Sequence, residues 1–209
     1  MNLTNHYWYF QSAIPERICD DIVRYGHQMQ EQMAVTGGYG DPKKLNQQQI
    51  KDLKKKRDSN IVWMSDRWIY KEIQPYIHEA NASAGWNFQW DYSEACQFTK
   101  YEKGQYYDWH CDGWDQPYQR QQGDPSHGKI RKLSVTVTLS DPKDYKGGEL
   151  EFDFRNLDPD KKPNIRKCKE ILPKGSLVVF PGFVWHRVCP VKKGKRHSLV
   201  IWNLGWPYK

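Results

Sequence analysis

The apolar residues of this 209-residue chain change their spacing near residue 93, and this change limits the folds open to it. Before that point, apolar positions recur every three or four residues, which is the period of a helix that faces a core. After it, short runs alternate between apolar and polar residues, and Gly or Pro separates the runs. Helices followed by many short strands indicate a mainly β domain, a sandwich or a barrel, with helical support on one side.

The first ninety residues predict two helices and one strand. Pro15 stands at a favourable first helical position, and apolar residues at 18, 22, 25, 29 and 33 predict a helix over 15–33. Residues 61–64 form a short apolar run that is typical of a strand. A second helix is predicted directly after it, with Ser65 or Asp66 as its cap.

The strand pattern is clearest at 133–139, where Leu and Val alternate with Ser and Thr up to a Ser-Asp-Pro turn. Similar runs follow at 149–154, 177–180, 185–191 and 197–204. Aromatic residues supply much of the apolar surface, since 10 Trp, 13 Tyr and 7 Phe make up 14% of the chain. The length suits one domain, in which we expect residues 1–92 to be helical support and loop and residues 93–206 the strand core.

Charge and cysteine content exclude several classes of protein. The net charge of +7 is compatible with an acidic ligand such as a nucleic acid, but the excess lies in Lys-rich runs typical of solvated surface. Five cysteines without CxxC spacing indicate neither a disulfide framework nor a structural zinc site. No secretory leader or bilayer-spanning run is evident, so we expect a soluble, cytoplasmic protein with reduced thiols and no membrane contact.

One segment combines residue types that bind metal ions. His110 and Asp112 lie two positions apart in an extended stretch, so their side chains project from one face while Cys111 points away. A third possible ligand, His186, lies well downstream beside another predicted strand. Two imidazoles and one carboxylate leave three positions of an octahedral ion open, which is the arrangement of non-haem Fe(II) oxygenases.

The open positions suit a chelating cosubstrate. A 2-oxo acid that binds through its C1 carboxylate and keto oxygen leaves one position for water or dioxygen. The far end of a dicarboxylic acid also needs a cation, and Arg196 on the neighbouring predicted strand can hold a carboxylate with its planar fork. Ser198 shares the strand parity of Arg196 and can add a hydroxyl, whereas His197 faces the other way.

Several motifs together resemble the prolyl 4-hydroxylase-like dioxygenases that use 2-oxoglutarate and Fe(II), and especially their PKHD-type branch. The likeness covers roughly residues 93–206. The motifs are Tyr101 nine residues before His110, the HCD triplet, RKLSVTVTLSDPKDYKGGELEF from Arg131, and HRVCPVKKGKR from His186. Collagen-type relatives have lysine at the position of Arg196, so the match favours the PKHD-type and oxygen-sensing branches.

This resemblance implies a double-stranded β-helix, or jelly roll, with His110, Asp112 and His186 as iron ligands. It implies that Arg196 binds the distal carboxylate of 2-oxoglutarate and that Tyr101 hydrogen-bonds the same cosubstrate. The implied reaction consumes dioxygen, releases succinate and carbon dioxide, and hydroxylates an unactivated C–H bond. Ascorbate is a reductant compatible with this chemistry.

Aromatic residues around the HCD triplet suggest a substrate pocket. By the resemblance, Tyr107 lines the pocket near iron, and Trp109, Trp114 and Tyr118 can supply apolar walls. Packing within a strand is the competing interpretation for each of these rings.

Two polar, glycine-containing stretches are predicted to be loops. Residues 37–58 contain little apolar material, and we expect a mobile loop there. The stretches 37–60 and 114–128 are long enough to close over a substrate as lids.

The substrate is open at this stage. A prolyl residue of a peptide or protein is suggested by the resemblance, and a free amino acid or another small molecule is second. A nucleic-acid dealkylating oxygenase fits the rings and charge, but such enzymes carry a further specificity arginine and none follows Arg196. A non-catalytic jelly-roll module would keep the same polar residues without iron or turnover. The oligomeric state cannot be read from the sequence.

Overall fold

The computed structural model describes residues 3–36, 41–155, 158 and 160–208. Three α-helices lie within them: α1 (Glu16–Gln28), α2 (Gln47–Lys56) and α3 (Arg67–Ser83). Two short 3-10 turns, Pro42–Lys44 and Lys169–Ile171, complete the helical structure of this part of the chain.

Fifteen strands lie in the described residues. Those before the long loop at 114–128 are β1 (Trp8–Phe10), β2 (Gln32–Met33), β3 (Arg57–Asp58), β4 (Asn60–Met64), β5 (Tyr92–Ser93), β6 (Cys96–Tyr101) and β7 (Tyr106–His110). Those after it are β8 (Ile130–Thr138), β9 (Tyr145–Gly147), β10 (Leu150–Asp153), β11 (Ile165–Lys167), β12 (Leu177–Pro181), β13 (Trp185–Val188), β14 (Val191–Gly194) and β15 (Arg196–Gly205).

Two antiparallel sheets face each other as a jelly roll. The larger sheet has the order β1-β12-β8-β15-β6-β4-β2, with β5 alongside β15, and the smaller has the order β11-β10-β13-β7-β3. Strands β9 and β14 form a separate ribbon. The mainly β fold class with helical support, predicted from the strand pattern, is thereby confirmed.

The larger sheet separates two hydrophobic layers. Val135 of β8 faces the helices and packs in one cluster with Ile73 of α3. Val178 and Phe180 of β12 face the smaller sheet and pack with Phe152 of β10. Fully burying such a side chain stabilises the fold by about 1.5–3 kcal/mol, so both faces of the larger sheet contribute to its stability.

The inner face of the larger sheet also carries buried polar side chains. These residues alternate with the helix-facing apolar ones, and they are Gln97, Thr99, Ser134, Thr136, Thr138 and Ser198. Buried polar groups need hydrogen-bond partners, so a polar patch between two sheets marks a place where the core gives way to a site.

Helix α1 is shorter than the sequence predicts. Met29 adopts an extended conformation at the end of the helix, and Met33 belongs to β2, which pairs with β4. The prediction of a helix over 15–33 is therefore wrong after Gln28, because strand pairing engages the last apolar residue of the pattern. The second helix begins at Arg67 as expected, with Asp66 at its N-cap position but without a side-chain capping bond.

The predicted loop over 37–58 is wrong for its described part, which begins at Asp41. Helix α2 starts with a capping box, in which the side chains of Asn46 and Gln49 each accept a hydrogen bond from the other's backbone amide. Leu53 is fully buried and anchors the helix. One buried leucine and two reciprocal caps thus help to order a segment whose polar composition is typical of a loop.

The remaining sequence-based expectations concern loops, membranes and thiols. Residues 114–128 contain turns but no helix or strand, and the lid function of this stretch and of 37–60 stays a prediction. Glycines 37, 38 and 40 lie outside the described residues. Within the described chain, no helix combines the length and apolar character needed to cross a bilayer. All five cysteines are free thiols.

Candidate metal centre

The jelly roll brings the three predicted metal ligands together on the smaller sheet. His110 is the last residue of β7 and lies opposite His186 of β13 in the strand register. Asp112 follows β7, and its backbone amide donates to the carbonyl oxygen of Gly182 at 2.8 Å. Strand pairing therefore places the histidines side by side, and the backbone bond directs the carboxylate toward them.

The distances between the ligand atoms suit one shared ion. His110 Nε2 lies 3.7 Å from Asp112 Oδ1, and His186 Nε2 lies 3.5 Å from Asp112 Oδ2. One potential ligand atom from each residue lies within 4.8 Å of the other two. Since metal bonds to nitrogen and oxygen measure about 2.0–2.2 Å, two ligands of one ion lie up to about 4 Å apart.

Both imidazoles are oriented by backbone carbonyl groups. The Nδ1 atom of His110 lies 2.7 Å from the carbonyl oxygen of Asp108, and that of His186 lies 2.9 Å from the carbonyl oxygen of Val184. A carbonyl oxygen only accepts hydrogen bonds, so each Nδ1 carries the proton. The Nε2 lone pair of each ring is left for a metal ion.

The electrostatics hold Asp112 and His110 in their metal-binding forms. Burial raises the pKa of the Asp112 carboxyl, but the nearby His186, His110 and Arg131 outweigh burial and lower the pKa to about 2. Ser134 Oγ also donates to Asp112 Oδ2 at 2.7 Å. Burial, together with His186, lowers the pKa of His110 to about 3. Near neutral pH the carboxylate is therefore charged and the His110 imidazole is neutral.

The predicted cosubstrate residues meet at the other end of the same cavity. Arg196 is 2% exposed, and its Nη1 donates to Ser198 Oγ at 3.1 Å. Its guanidinium carbon lies 5.5 Å from the centre of the Tyr101 ring. No carboxylate among the described residues pairs with Arg196, so the cavity contains a buried cation that can accept an anionic ligand.

A turn beside Arg196 is shaped to its side chain. Gly148, between β9 and β10, has a φ of +69°, which favours glycine. A Cβ atom at this position would lie 2.8 Å from Arg196 Cδ. The Gly-Gly pair of the sequence motif therefore lets the backbone approach the arginine closely.

Fourteen residues from both sheets line the cavity, and several were not predicted from the sequence. They are Arg57, Gln97, Tyr101, Tyr107, His110, Asp112, Thr136, Leu150, His186, Val188, Arg196, Ser198, Val200 and Trp202. Strand parity could have found Trp202, since it lies on the same face of β15 as Arg196 and Ser198. Nothing in the sequence indicated Arg57, which lies in the segment predicted to be a loop.

Three of the four aromatic residues predicted for a substrate pocket have different positions. Tyr107 lines the cavity, and its ring stacks on that of His110 with centres 3.5 Å apart. Trp114 is 65% exposed and lines a neighbouring cavity of about 530 Å³. Trp109 lines neither cavity; its ring packs under the Arg187 guanidinium, 4.7 Å from the ring centre. Adjacent strand residues face opposite sides, so Trp109 lies on the face of β7 opposite His110.

The residues present fit the ion and cosubstrate that the sequence suggested. Two imidazole nitrogens and a carboxylate are the donor set of non-haem Fe(II) sites, and they would hold the ion. Arg196, Ser198 and Tyr101 would hold the distal carboxylate of 2-oxoglutarate. Both groups of residues line the same cavity.

Comparison with known proteins places this geometry in a family. Residues 96–203 match the family model of the 2OG-Fe(II) oxygenase superfamily. PKHD-type hydroxylases of Pseudomonas fluorescens and Pseudoalteromonas atlantica are each 33% identical to this chain, over 103 and 107 residues respectively. These alignments cover 49% and 51% of this chain but only 40% and 41% of the two relatives.

Solved structures of low sequence identity share the fold over nearly the whole chain. A viral collagen prolyl hydroxylase from Paramecium Bursaria Chlorella virus-1 has a TM-score of 0.64 at 22% identity, covering 97% of both chains. A Pseudomonas putida prolyl-4-hydroxylase has a TM-score of 0.65 at 17% identity, covering 96% of this chain and 93% of that one. The jelly-roll fold, the metal centre and the family match agree: this chain belongs to the 2OG-Fe(II) oxygenase superfamily.

Proposed function

We propose that this chain hydroxylates an unactivated C–H bond of a prolyl residue in a peptide or protein. Fe(II), 2-oxoglutarate and dioxygen supply the oxidising chemistry, and succinate and carbon dioxide are the other products. One observation carries the proposal: the His110, Asp112 and His186 cluster shares a cavity with the buried Arg196, which pairs with no carboxylate among the described residues.

The charges of the cavity support a dicarboxylic cosubstrate. Arg196 is held 2% exposed with a neutral hydroxyl as its side-chain hydrogen-bond partner. A buried guanidinium without a carboxylate is costly, and a carboxylate that binds there gains two parallel charge-assisted hydrogen bonds. The role of Arg196 in this proposal is to orient the cosubstrate so that its other end reaches the metal ligands.

A rigid pair of side chains beside Asp112 supports a role in substrate positioning. The Arg131 guanidinium lies 3.8 Å over the Trp202 ring, and its Nε and Nη2 atoms donate to Glu94 Oε2 at 2.9 and 2.6 Å. Two hydrogen bonds and a stacked face fix the arginine without using all of its donors. We infer that Trp202 packs against the target ring and that Arg131 binds a carbonyl oxygen next to it.

The neighbouring cavity supports a substrate longer than a single amino acid. Its volume is about 530 Å³, and Gly113 and Trp185 in its wall directly adjoin Asp112 and His186 in sequence. Rings such as Phe154, Phe183 and Tyr208 line much of the rest. A prolyl hydroxylase from Trichoplax adhaerens, solved with a hypoxia inducible factor peptide, shares the fold with a TM-score of 0.60 at 16% identity. Both observations favour a peptide over a free amino acid.

The decisive experiment measures succinate release with Fe(II), 2-oxoglutarate and ascorbate. Proline-containing peptides, free proline and other amino acids, and alkylated oligonucleotides are compared as substrates. We expect stimulation by prolyl peptides and a mass increase of one oxygen atom in the peptide. Loss of stimulation in His110→Ala and Arg196→Ala ties the activity to the cavity.

The other outcomes are equally informative. Stimulation by free amino acids alone, or by oligonucleotides alone, contradicts the peptide proposal but keeps the oxygenase chemistry. If folded protein binds neither metal nor 2-oxoglutarate, the chain is a non-catalytic jelly-roll module and the proposal fails altogether.

A further inference from the structure

The His110 imidazole stacks on a ring of its own strand, which in turn contacts residues from the N-terminal part of the chain. The Tyr107 ring lies nearly parallel to the His110 ring, with an angle of 12° and a centre-to-centre distance of 3.5 Å. The Arg57 guanidinium carbon lies 4.5 Å from the centre of the Tyr107 ring. Tyr107 Oη lies 3.1 Å from Thr36 Oγ1. The ligand is thus linked through one tyrosine to two residues of the N-terminal part of the chain.

A strand irregularity makes this stack possible. His186 of β13 pairs with His110, and Val188, two residues on, pairs with Tyr107, three residues back on β7. The extra residue on β7 is a β-bulge, which re-aims side chains. In a regular strand, residues three apart would face opposite sides, so the bulge is what places the Tyr107 ring on the His110 side.

Arg57 is held in place with little freedom. It is 4% exposed, and it lies at the end of α2, where β3 pairs it with Tyr107. Its Nε donates to Ser59 Oγ at 2.9 Å and its Nη2 to Gln97 Oε1 at 2.6 Å. These bonds lie in the guanidinium plane, which leaves the face of the group to the tyrosine. No carboxylate among the described residues neutralises it.

We propose that Arg57 is a positioning residue of the metal centre, which clamps Tyr107 against His110 and thereby sets the direction of the His110 Nε2 lone pair. Burying a charge without an acidic partner costs free energy. The stack on Tyr107 gives the buried charge of Arg57 a role that packing alone would not require. The inference rests on the proposed metal site, but it concerns a residue that touches neither the ion nor the ligand ring. Groups that orient metal ligands typically affect metal affinity about 10- to 100-fold.

The chain offers a matched control on the same pair of strands. Arg187 of β13 lies over the Trp109 ring of β7 at 4.7 Å, which closely matches the geometry of Arg57 over Tyr107. Its Nε donates to Glu151 Oε2, and no ring contact among the described residues joins Trp109 to the imidazole of a metal ligand. Arg187→Lys therefore perturbs an equivalent cation–ring contact without affecting the stack on His110.

The test titrates anaerobic protein with Co(II) and follows the visible absorption of the bound ion. We expect Arg57→Lys to weaken Co(II) binding about 10- to 100-fold, because lysine keeps the charge but loses the flat stacking face. Ser59→Ala, which removes only the acceptor for Nε, is a milder variant with a smaller loss in the same direction. Arg187→Lys should bind Co(II) as the wild type does.

A double-mutant cycle decides whether Arg57 acts through Tyr107. Tyr107→Leu alone should weaken binding, and adding Arg57→Lys to it should cause no further loss. Wild-type affinity in both Arg57→Lys and Ser59→Ala, equal losses in Arg57→Lys and Arg187→Lys, or additive losses in the cycle each overturn the inference. Failure of the wild type to bind Co(II), or binding unaffected by His110→Ala, overturns the proposed metal site itself.

Discussion

The two histidines of the metal centre are held by different parts of the molecule. His186 lies on β13, flanked by strands on both sides, and its ring packs against Phe180 with centres 4.7 Å apart. His110 lies at the end of β7, and apart from His186 the described ring next to it is that of Tyr107, which β3 and Arg57 support. One ligand is fixed by the hydrophobic core, and the other by a short N-terminal segment.

Because of this difference, metal binding can be weakened without a loss of global stability only on the His110 side of the site. Phe180 and Phe152 bury themselves between the two sheets, so the side chains that position His186 also hold the fold together. The support of His110 consists of a helix and a two-residue strand at the sheet edge. Edge elements with few buried residues open locally at low cost, so the His110 side can loosen while the jelly roll stays folded.

The largest expected effect comes from removing the support of His186. Phe180→Ala deletes a 1% exposed ring and should lower the free energy of unfolding by about 3–5 kcal/mol. Chemical denaturation of the metal-free protein measures this. A loss below about 1 kcal/mol would mean that the core does not carry the His186 side, and the contrast between the two histidines would disappear.

The second effect concerns the segment that supports His110. Leu53→Ala removes the fully buried anchor of α2, and a cost of about 2–5 kcal/mol is expected for the docking of that helix. Hydrogen exchange should become at least tenfold faster at the amides of residues 47–56, while β8 and β15 exchange as before. Uniformly faster exchange over the whole chain would show that α2 and the jelly roll form one cooperative unit.

A third histidine, His197, tests how burial away from the metal centre changes the pKa of a histidine. His197 faces the helices, away from the metal centre, and packs against His27 and Phe98. Burial, helped by His27 and nearby basic side chains, lowers the pKa of His197 to about 4.

The sign of its effect on stability follows from proton binding. Between about pH 6.5 and pH 4 the unfolded chain binds more protons than the folded one, so stability falls as the pH is lowered through this window. Between pH 7.5 and pH 5 the loss due to His197 is on the order of 2 kcal/mol. His197→Phe should remove this contribution to the pH dependence of the free energy of unfolding. Urea unfolding at pH 7.5 and pH 5 in the presence of a chelator measures the change. The share due to His110, whose pKa is also lowered by burial, should persist in the variant. Equal pH dependence in variant and wild type would exclude His197 as a contributor.

The smallest expected effect sharpens the comparison at the Tyr107 hydroxyl. Thr36→Val keeps the shape of the side chain but removes the 3.1 Å hydrogen bond to Tyr107, at a cost of about 0.5–1.5 kcal/mol. Faster exchange at Ala34 and its neighbours, with an unchanged denaturation midpoint, would place the cost in the N-terminal segment. A lower midpoint for the whole protein would argue that this bond is part of the global fold.

Much of the site was predictable because it depends on spacing within strands. His110 and Asp112 share a face at a separation of two, and Arg196 and Ser198 do the same on β15. The same reasoning, applied one residue further, would have placed Trp109 on the opposite face of β7, since it is adjacent to His110. Extending it along β15 would have reached Trp202.

The N-terminal support could not be predicted in this way. Leu53 and Arg57 stand in a stretch of Lys, Gln and Asp, where composition indicates a loop. The role of Arg57 arises from its contact with β7, about fifty residues later in the chain, and from a β-bulge that no local pattern indicates.

By itself the sequence determined the mainly β pattern of the core, the three candidate metal ligands and the candidate cosubstrate arginine, because strand periodicity and residue chemistry are local properties. Only the tertiary structure decided which side chains hold those ligands in place. Phe180, which packs behind His186, comes from the preceding strand in the other sheet, and Arg57, which packs behind Tyr107 and His110, comes from a segment about fifty residues away. Which of those segments meet is decided by the packing of the whole chain, because a buried contact is stable only when every neighbour around it is also in place.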